Sequence, residues 1–191
     1  MSKWFFEPGH TAAEFRARHM MVTYVRGAFK NVVGSLIFDP ADPAASSVQV
    51  TIDAKGLSTG HAERDAKLRG ADFLDVENHP EITFQGDQVE VVGEHDYVFT
   101  GDLTIRGVSR RVPLKVRYLG QSQTPWWVEE DGEWVDKGPK ARAGFVAETE
   151  INRHDFGVSW NDTIDKGGVV VGDTVFITID VEAIFDEAGV G

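Results

Sequence analysis

Cysteine is absent from this 191-residue sequence, which excludes disulfide bonds, thiolate metal sites and cysteine nucleophiles together. Basic residues are also scarce, since 19 lysines and arginines stand against 31 aspartates and glutamates, for a net charge of −12. A chain of this charge repels nucleic acid unless a basic patch is concentrated somewhere. The local clusters Arg16/Arg18 and Arg106/Arg110/Arg111 are too small and scattered for that. We therefore expect no nucleic-acid partner, and anionic membrane surfaces are disfavoured for the same reason.

Long apolar runs are missing as well. None approaches the roughly 20 residues that cross a bilayer as a helix, so we expect no stable membrane insertion. The start of the chain, MSKWFFEPGH, lacks the apolar core and the small-residue cleavage site of a signal peptide, and on this basis we expect a cytoplasmic location. With 41% hydrophobic and 26% charged residues, the chain can build a core, and its length fits a single domain over residues 1–191.

Alternation of apolar and polar residues, typical of strands, recurs along most of the chain. Residues 100–116, TGDLTIRGVSRRVPLKV, form two alternating arms on either side of an Arg-Gly-Val-Ser corner. Residues 174–185 alternate over a length that exceeds the usual five or six residues of a strand. Gly34, Gly101 and Gly144 lie inside strand patterns and predict the bulges or bends that barrel closure needs. About eight strands with short connections favour an all-β, antiparallel barrel over a sandwich.

One segment has the pattern of a helix. Between about residues 61 and 70, Ala62 and Leu68 belong to a narrow apolar stripe, and Gly70 is a plausible stop. Opposite charges at residues 63–65 predict an ion-pair cluster that fixes this helix to the barrel.

Two hairpin turns are predicted from local composition. Gly86-Asp87 separates two short strand patterns and is a hairpin-turn signal. Residues 120–140 contain Trp126, Trp127 and Trp134 and predict a long hairpin insert. Cross-strand aromatic pairs commonly stabilise such hairpins, so we interpret the tryptophans as a local staple; the alternative is that they cover a barrel mouth.

Catalytic and metal-binding patterns are missing. No nucleophile-elbow, P-loop or dinucleotide fingerprint is present. His154, Asp155 and Ser159 lie near one another in the sequence, but adjacent strand residues point to opposite sides, so Asp155 cannot readily orient His154. None of the six histidines lies at the spacing of a zinc site, so we expect no metal and no catalytic residues. These histidines are His10, His19, His61, His79, His95 and His154.

Three polar residues are candidates for contact with a ligand. His19 lies on the same face as Phe15 and Ala17; it is either a core histidine with a satisfied hydrogen bond or a polar contact inside an apolar cavity. Arg153 either pairs with an acidic neighbour or offers donors to a ligand head group. Arg64 is the other arginine that could lie at a barrel mouth.

Five stretches, taken in order, resemble the YceI-like family, the polyisoprenoid-binding proteins of bacteria. The resemblance implies an extended lipocalin-like fold, an eight-stranded antiparallel barrel with a helix beside it. It also implies non-catalytic binding of a long amphiphile, such as an isoprenoid chain or an isoprenoid quinone, inside the barrel, and it leaves room for a homodimer. The Trp-rich insert departs from the shorter family pattern. The matching stretches are EFRARHMMVTYVRGAF, RDAKLRGADFLDVENHPEITF, TGDLTIRGVSRRVPLKV, GFVAETEINRHDFGVSWN and VGDTVFITIDVEA.

The apolar faces of the predicted strands supply a candidate wall for such a ligand. An eight-stranded barrel is just wide enough to be filled by side chains or to hold one slender ligand, and burial of an apolar tail contributes roughly 25 cal/mol per Å². We expect no cofactor besides this lipid, and the net charge favours a neutral head group such as a quinone over a diphosphate. One alternative is an enzyme that acts on a lipid-like substrate in the same cavity, with His19 as the residue around which its polar site would be built. The other is a solid-core interaction module that uses the Trp-rich hairpin. The predicted wall residues are Phe15, Phe29, Phe38, Val50, Ile52, Phe84, Phe99, Leu103, Ile105, Leu114, Val116, Phe145, Ile177 and Ile179.

Overall fold

A computed structural model describes residues 2–30 and 32–186; the remaining positions of the predicted domain, Met1, Asn31 and residues 187–191, lie outside the described residues. The described part contains one α-helix, α1 (Ala62–Arg69), which is too short to span a bilayer. The strands are β1 (Lys3–Phe6), β2 (Ala12–His19), β3 (Thr23–Phe29), β4 (Val33–Ile37), β5 (Ser47–Asp53), β6 (Leu57–Ser58), β7 (Glu81–Val91), β8 (Asp96–Ile105), β9 (Val108–Glu130), β10 (Glu133–Asn152), β11 (Thr163–Ile164), β12 (Gly168–Val169) and β13 (Val171–Phe185).

The strands close into an antiparallel barrel with eight strand positions. Three positions are each occupied by two consecutive strands, β1 with β2, β3 with β4, and β5 with β6; the other five are β7, β8, β9, β10 and β13. Closure occurs at β13, which pairs with β2 along Val171–Asp180 and with β1 along Ala183–Phe185. The prediction of an eight-stranded antiparallel barrel of extended lipocalin-like type is confirmed.

The predicted corner between β8 and β9 is a two-residue turn. Ile105 pairs with Val108, and both Arg106 and Gly107 have left-handed backbone conformations, with φ of 51° and 72°. Such primed turns match the right-handed twist of the strands that they join.

The predicted hairpin turn at Gly86-Asp87 is wrong. β7 runs continuously through these residues, and its pairing with β8 shifts there by one residue. The glycines serve close packing, because a Cβ atom at the paired Gly101 would lie 2.2 Å from the carbonyl oxygen of Gln85. A further shift in register occurs at Gly144. The prediction that interior glycines mark irregularities therefore holds at Gly101 and Gly144 but is wrong at Gly34, which pairs with Val50 in regular register.

The predicted Trp-rich insert is the outer part of the β9–β10 hairpin. We call residues 121–141 the hairpin arm; its turn lies at Asp131-Gly132, where Glu130 pairs with Glu133. The arm continues past the end of the barrel at which Tyr118 pairs with Phe145.

Aromatic side chains fill the barrel interior at that same end. Phe38 is 1% exposed and its ring centroid lies 5.7 Å from that of Tyr97, 5.2 Å from Tyr118 and 5.3 Å from Phe145. We call these four residues the aromatic plug. Burial raises the pKa of the Tyr97 and Tyr118 hydroxyl groups above their ordinary value, as expected where a charged form would be poorly solvated.

Candidate functional site

The opposite half of the barrel is hollow. It encloses a cavity of ≈ 200 Å³ whose wall is built by the inward-facing residues of the barrel strands. Among the described lining residues, the polar ones are Glu14, Thr83, Thr149 and Arg153. The apolar ones on strands are Ala13, Phe15, Ala17, Phe29, Val50, Ile52, Leu57, Ile82, Phe84, Leu103, Ile105, Leu114, Ile151, Val171, Val175, Ile177 and Ile179.

Ten of the fourteen predicted wall residues line this cavity: Phe15, Phe29, Val50, Ile52, Phe84, Leu103, Ile105, Leu114, Ile177 and Ile179. The other four, Phe38, Phe99, Val116 and Phe145, are not among the residues that line it. Phe38 and Phe145 belong to the aromatic plug, and Phe99 and Val116 pack in the barrel core. Strand periodicity shows which side chains face inward, but it does not show their level along the barrel axis. The cavity is therefore blind at the plug and does not run through the barrel as an open tunnel.

Two segments cover the hollow end. The first is α1 with the residues after it, which contribute Leu68, Phe73 and Leu74 to the lining, and the second is the stretch after β10, which contributes Phe156 and Val158. We call them the helix segment (residues 62–74) and the 153–160 segment.

These two covering segments contact each other through Trp160. Its ring lies 5.4 Å from that of Phe73, and the ammonium of Lys67 lies 3.6 Å above it. A cation over an indole face is attracted by the ring quadrupole, so Trp160 fastens the 153–160 segment to the helix segment.

Arg153 anchors the 153–160 segment from inside. Its side chain is 4% exposed, and its guanidinium donates to the carbonyl oxygens of Val158 (2.7 Å), Trp160 (2.9 Å), Gly172 (3.0 Å) and Val171 (3.2 Å). Burial lowers the pKa of Arg153, and the carboxylate of a nearby aspartate on β13 opposes that shift. That aspartate is Asp173, whose carboxylate forms a salt bridge with Arg153 at 3.8 Å. The predicted pairing with an acidic residue is therefore confirmed, although the shorter contacts are with backbone carbonyl groups.

Arg106 joins the two covering segments from outside. Its guanidinium donates to the carbonyl oxygens of Gly157 and Ala71, both at 2.8 Å. In the sequence, Arg106 belongs only to a weak basic cluster with Arg110 and Arg111. Its position in a two-residue turn could have indicated a contact with the covering segments, because such a turn projects its side chains past the end of the strands.

The remaining polar candidates lie outside the cavity lining. Arg64 donates from Nε to the hydroxyl of Thr59 (2.7 Å) and from Nη2 to its carbonyl (2.9 Å). His19 is half-buried and pairs with Thr23 beyond the level of Ala17. Neither residue is among those that line the cavity.

The hydrogen bond of His154 does not go to its sequence neighbour Asp155. His154 lies 2.9 Å from Asp173 at the exposed surface. No group of three or more candidate ligands for a metal ion occurs among the described residues.

The closed eight-stranded barrel and the blind apolar cavity under its helix place this protein in the class of lipocalin-like barrels. Residues 4–183 match the family model described as the YceI-like domain. Protein YceI of Escherichia coli O17:K52:H18 is 40% identical over 152 residues, which cover 80% of this chain and 73% of that protein. The chain belongs to the YceI-like family.

Solved structures share the fold at lower sequence identity. The crystal structure of Burkholderia cenocepacia BcnA has a TM-score of 0.74 and 24% identity, and the match covers 93% of this chain and 98% of that one. A polyisoprenoid binding domain from Saccharophagus degradans has a TM-score of 0.63 and 14% identity, over 96% of this chain and 98% of that one. These likenesses concern the fold alone.

Proposed function

We propose that this barrel binds an isoprenoid-type amphiphile, with the apolar tail in the cavity and no chemical transformation of the ligand. The observation that carries the proposal is the blind apolar cavity of ≈ 200 Å³. Genuinely empty cavities in proteins are small and apolar, and they accept apolar guests. Membership of the YceI-like family and the shared fold with a polyisoprenoid binding domain give further support.

The size of the cavity limits how much of the tail it holds. An apolar cavity of about 150 Å³ accommodates benzene, so the present cavity holds about one or two isoprene units. A longer tail enters the cavity with its terminal units first and leaves between the helix segment and the 153–160 segment. The head group then lies at the hollow end of the barrel.

A neutral head group, such as a quinone, suits this end better than a diphosphate. The guanidinium of Arg153 is engaged by four carbonyl groups, and Arg64 is held by Thr59. A diphosphate would need cationic donors that are free, and the net charge of −12 opposes it further.

Adjacent residues of β13 offer a matched test. Ile177 lines the cavity, whereas Thr178 follows it on the opposite face of the strand. We expect Ile177→Trp to fill the cavity and weaken binding at least tenfold, while Thr178→Trp binds as the wild type does. The probe is a benzoquinone with a tail of two isoprene units, and native mass spectrometry measures the bound fraction.

A control for folding is needed, because an enlarged interior side chain lowers the free energy of unfolding by about 1–3 kcal/mol. Circular dichroism of Ile177→Trp should show a folded barrel with a lower melting temperature. Equal binding by the two variants, or no binding by the wild type, would contradict the proposed function.

A further inference from the structure

The β2–β3 turn exposes three consecutive apolar side chains. Met20, Met21 and Val22 are 45%, 47% and 82% exposed. Met20 and Met21 both have left-handed backbone conformations, with φ of 49° and 62°. Primed hairpin turns of this kind favour asparagine and glycine, so local folding does not explain methionine at either position. We call these three residues the apolar tip.

The apolar tip lies at the hollow end of the barrel. Ala17 lines the cavity, and the tip begins three residues further along the same strand direction, or about 10 Å at 3.3 Å per residue. The backbone N–H of Met20 donates to the carbonyl of Val170 (2.8 Å), which follows β12 and precedes β13. The tip is therefore braced against the residues that join β12 to β13, and Val22 is its most exposed side chain.

Basic and aromatic side chains lie directly behind the tip on the outer face of β2 and β3. Arg18 pairs with Tyr24, and Arg16 pairs with Arg26. The guanidinium carbons of Arg16 and Arg18 lie 5.4 Å and 5.6 Å from the centroid of the Tyr24 ring. We call these four residues the basic collar.

The spacing of tip and collar matches the depth profile of a bilayer surface. Arg18 and Tyr24 lie two residues behind the turn, about 7 Å at the rise of a strand. Apolar side chains at an interface are buried about 5–10 Å deep, and tyrosine and arginine favour the level of the head groups. When the tip is buried to that depth, the collar reaches the lipid phosphates.

The expectation that anionic membranes are disfavoured treats the charge of −12 as if it were spread evenly. Arg18 lies two residues behind the tip, whereas Arg16 and Arg26 lie about four residues behind it, or roughly 13 Å at the rise of a strand. Glu14, Glu148 and Glu150 line the same surface groove as Arg16 and Arg26, so Arg18 is the collar residue that places positive charge next to the tip. The negative charge of the other faces opposes their adsorption and so orients the encounter. Asp165, in the short β11–β12 connection beside the tip, is an acidic neighbour, so we expect weak and reversible binding.

We propose that the apolar tip and the basic collar dock the hollow end of the barrel on an anionic lipid bilayer, where an amphiphile passes between the bilayer and the cavity. The transfer step rests on the proposed function, whereas the docking step does not. The partner is the bilayer surface itself, recognised by apolar insertion and by contacts between arginine and phosphate.

The test exchanges the tip for a better turn. A variant with Met20→Asn, Met21→Gly and Val22→Thr removes the apolar side chains and places residues that suit the left-handed conformations. Flotation with vesicles that contain phosphatidylcholine and phosphatidylglycerol in a ratio of about 70:30 measures the bound fraction. We expect at least a tenfold lower partition coefficient and an unchanged or higher melting temperature.

The matched control changes apolar side chains at the other end of the barrel. Val91 and Val92 are about half exposed, next to the β7–β8 turn, and Val91→Thr with Val92→Thr should partition as the wild type does. The collar is tested by Arg18→Gln with Arg26→Gln, which should weaken partition at low salt and reduce its salt dependence. Unchanged partition of the tip variant, or of the collar variant, would overturn the proposed docking.

The two proposals fail separately. If the wild type partitions onto vesicles but takes up no quinone probe in solution, the docking stands and the proposed function fails. If the wild type binds the probe but does not partition onto vesicles, the docking fails and the proposed function stands.

Discussion

Asp65 links the helix segment to the barrel through a single buried carboxylate. It accepts hydrogen bonds from the backbone N–H of Thr59 (2.8 Å) and from the Thr59 hydroxyl. The hydroxyl bond is the main reason that the pKa of Asp65 lies below its ordinary value; burial opposes the shift, and Arg69 and Arg64 support it. The prediction of an ion-pair cluster at residues 63–65 is therefore wrong in its chemistry, because Asp65 is held by the neutral Thr59 and Arg64 also donates to Thr59, whereas Glu63 is exposed.

A depressed pKa makes the contribution of Asp65 to the free energy of unfolding dependent on pH. That contribution is complete above the ordinary pKa of 3.8 and is lost as the pH falls through the lower pKa of the folded state. We expect Asp65→Asn to lower the melting temperature at pH 7, and its difference from the wild type to narrow below about pH 4. Thermal melts between about pH 3 and 7 measure this difference.

Glu63→Gln provides the control for that experiment. It removes an exposed carboxylate from the same helix and should shift the melting temperature far less. A difference between Asp65→Asn and the wild type that stays constant down to pH 3, about one pH unit below the ordinary pKa, would show that the charge of Asp65 is not what fixes the helix.

Single residues were predictable from the sequence only in part. Alternation identified inward-facing side chains such as Leu103 and Ile177, and both line the cavity. The anchoring of the 153–160 segment by Arg153 was not predictable, because it depends on backbone carbonyl groups of segments that come together only in the folded barrel. Phe38 and Phe145 were assigned to the wall because a period of two carries no information about the filled and hollow levels.

At the scale of the secondary-structure element, the hairpin arm continues the pairing of β9 with β10 beyond the barrel. Trp127 and Trp134 are 53% and 67% exposed, whereas Trp126 is half-buried and lies 5.1 Å from the guanidinium of Arg142. Because the arm leaves the barrel at the aromatic plug, its tryptophans do not cover the hollow end. The alternative that they cover a barrel mouth therefore does not hold for the mouth at the hollow end. The predicted staple of cross-strand aromatic pairs is wrong, because Trp127 pairs with Asp136 and Trp134 with Glu129.

Shortening the arm should leave the cavity unchanged. Replacement of residues 123–141 by Asn-Gly joins the paired residues Ser122 and Arg142 through a two-residue turn. We expect a folded barrel that binds the two-unit quinone probe within about twofold of the wild type, since no contact with the cavity is lost. Native mass spectrometry and thermal melts measure both properties, and a large loss of binding would instead assign the arm to the ligand site.

Other elements differ in how well their boundaries could be predicted. The helix was predicted closely, because its apolar stripe and the terminal Gly70 act locally, and the observed helix ends at Arg69. The turn predicted at Gly86-Asp87 failed because the same dipeptide also suits a bulge. Only the pairing of β7 with β8 decides between the two, and that pairing is not local.

At the scale of the whole molecule, the barrel is divided into a filled half and a hollow half. Aromatic rings fill the end from which the hairpin arm extends. The covering segments, joined by Arg106, and the apolar tip lie at the other end. The proposed binding and docking therefore use one end of the molecule, while the other provides stability.

This division predicts that a substitution of phenylalanine by alanine lowers the free energy of unfolding by different amounts in the two halves. Phe38, in the aromatic plug, is packed on several sides by other rings, whereas Phe84 faces the cavity. Phe38→Ala should lower the free energy of unfolding by about 3–5 kcal/mol. Phe84→Ala should cost less, because a side chain that borders a void has fewer dispersion contacts to lose. Denaturant titrations of both variants measure the two costs.

The same pair of variants separates ligand capacity from stability. Phe84→Ala enlarges the cavity directly, so it should improve the binding of a benzoquinone with three isoprene units relative to one with two. Phe38→Ala should leave that ratio unchanged, because its ring is not part of the cavity wall. Competition between the two quinones, followed by native mass spectrometry, measures the ratio. If Phe38→Ala alters the preferred tail length as strongly as Phe84→Ala does, the two halves are not independent, because the plug then limits the depth to which a tail enters.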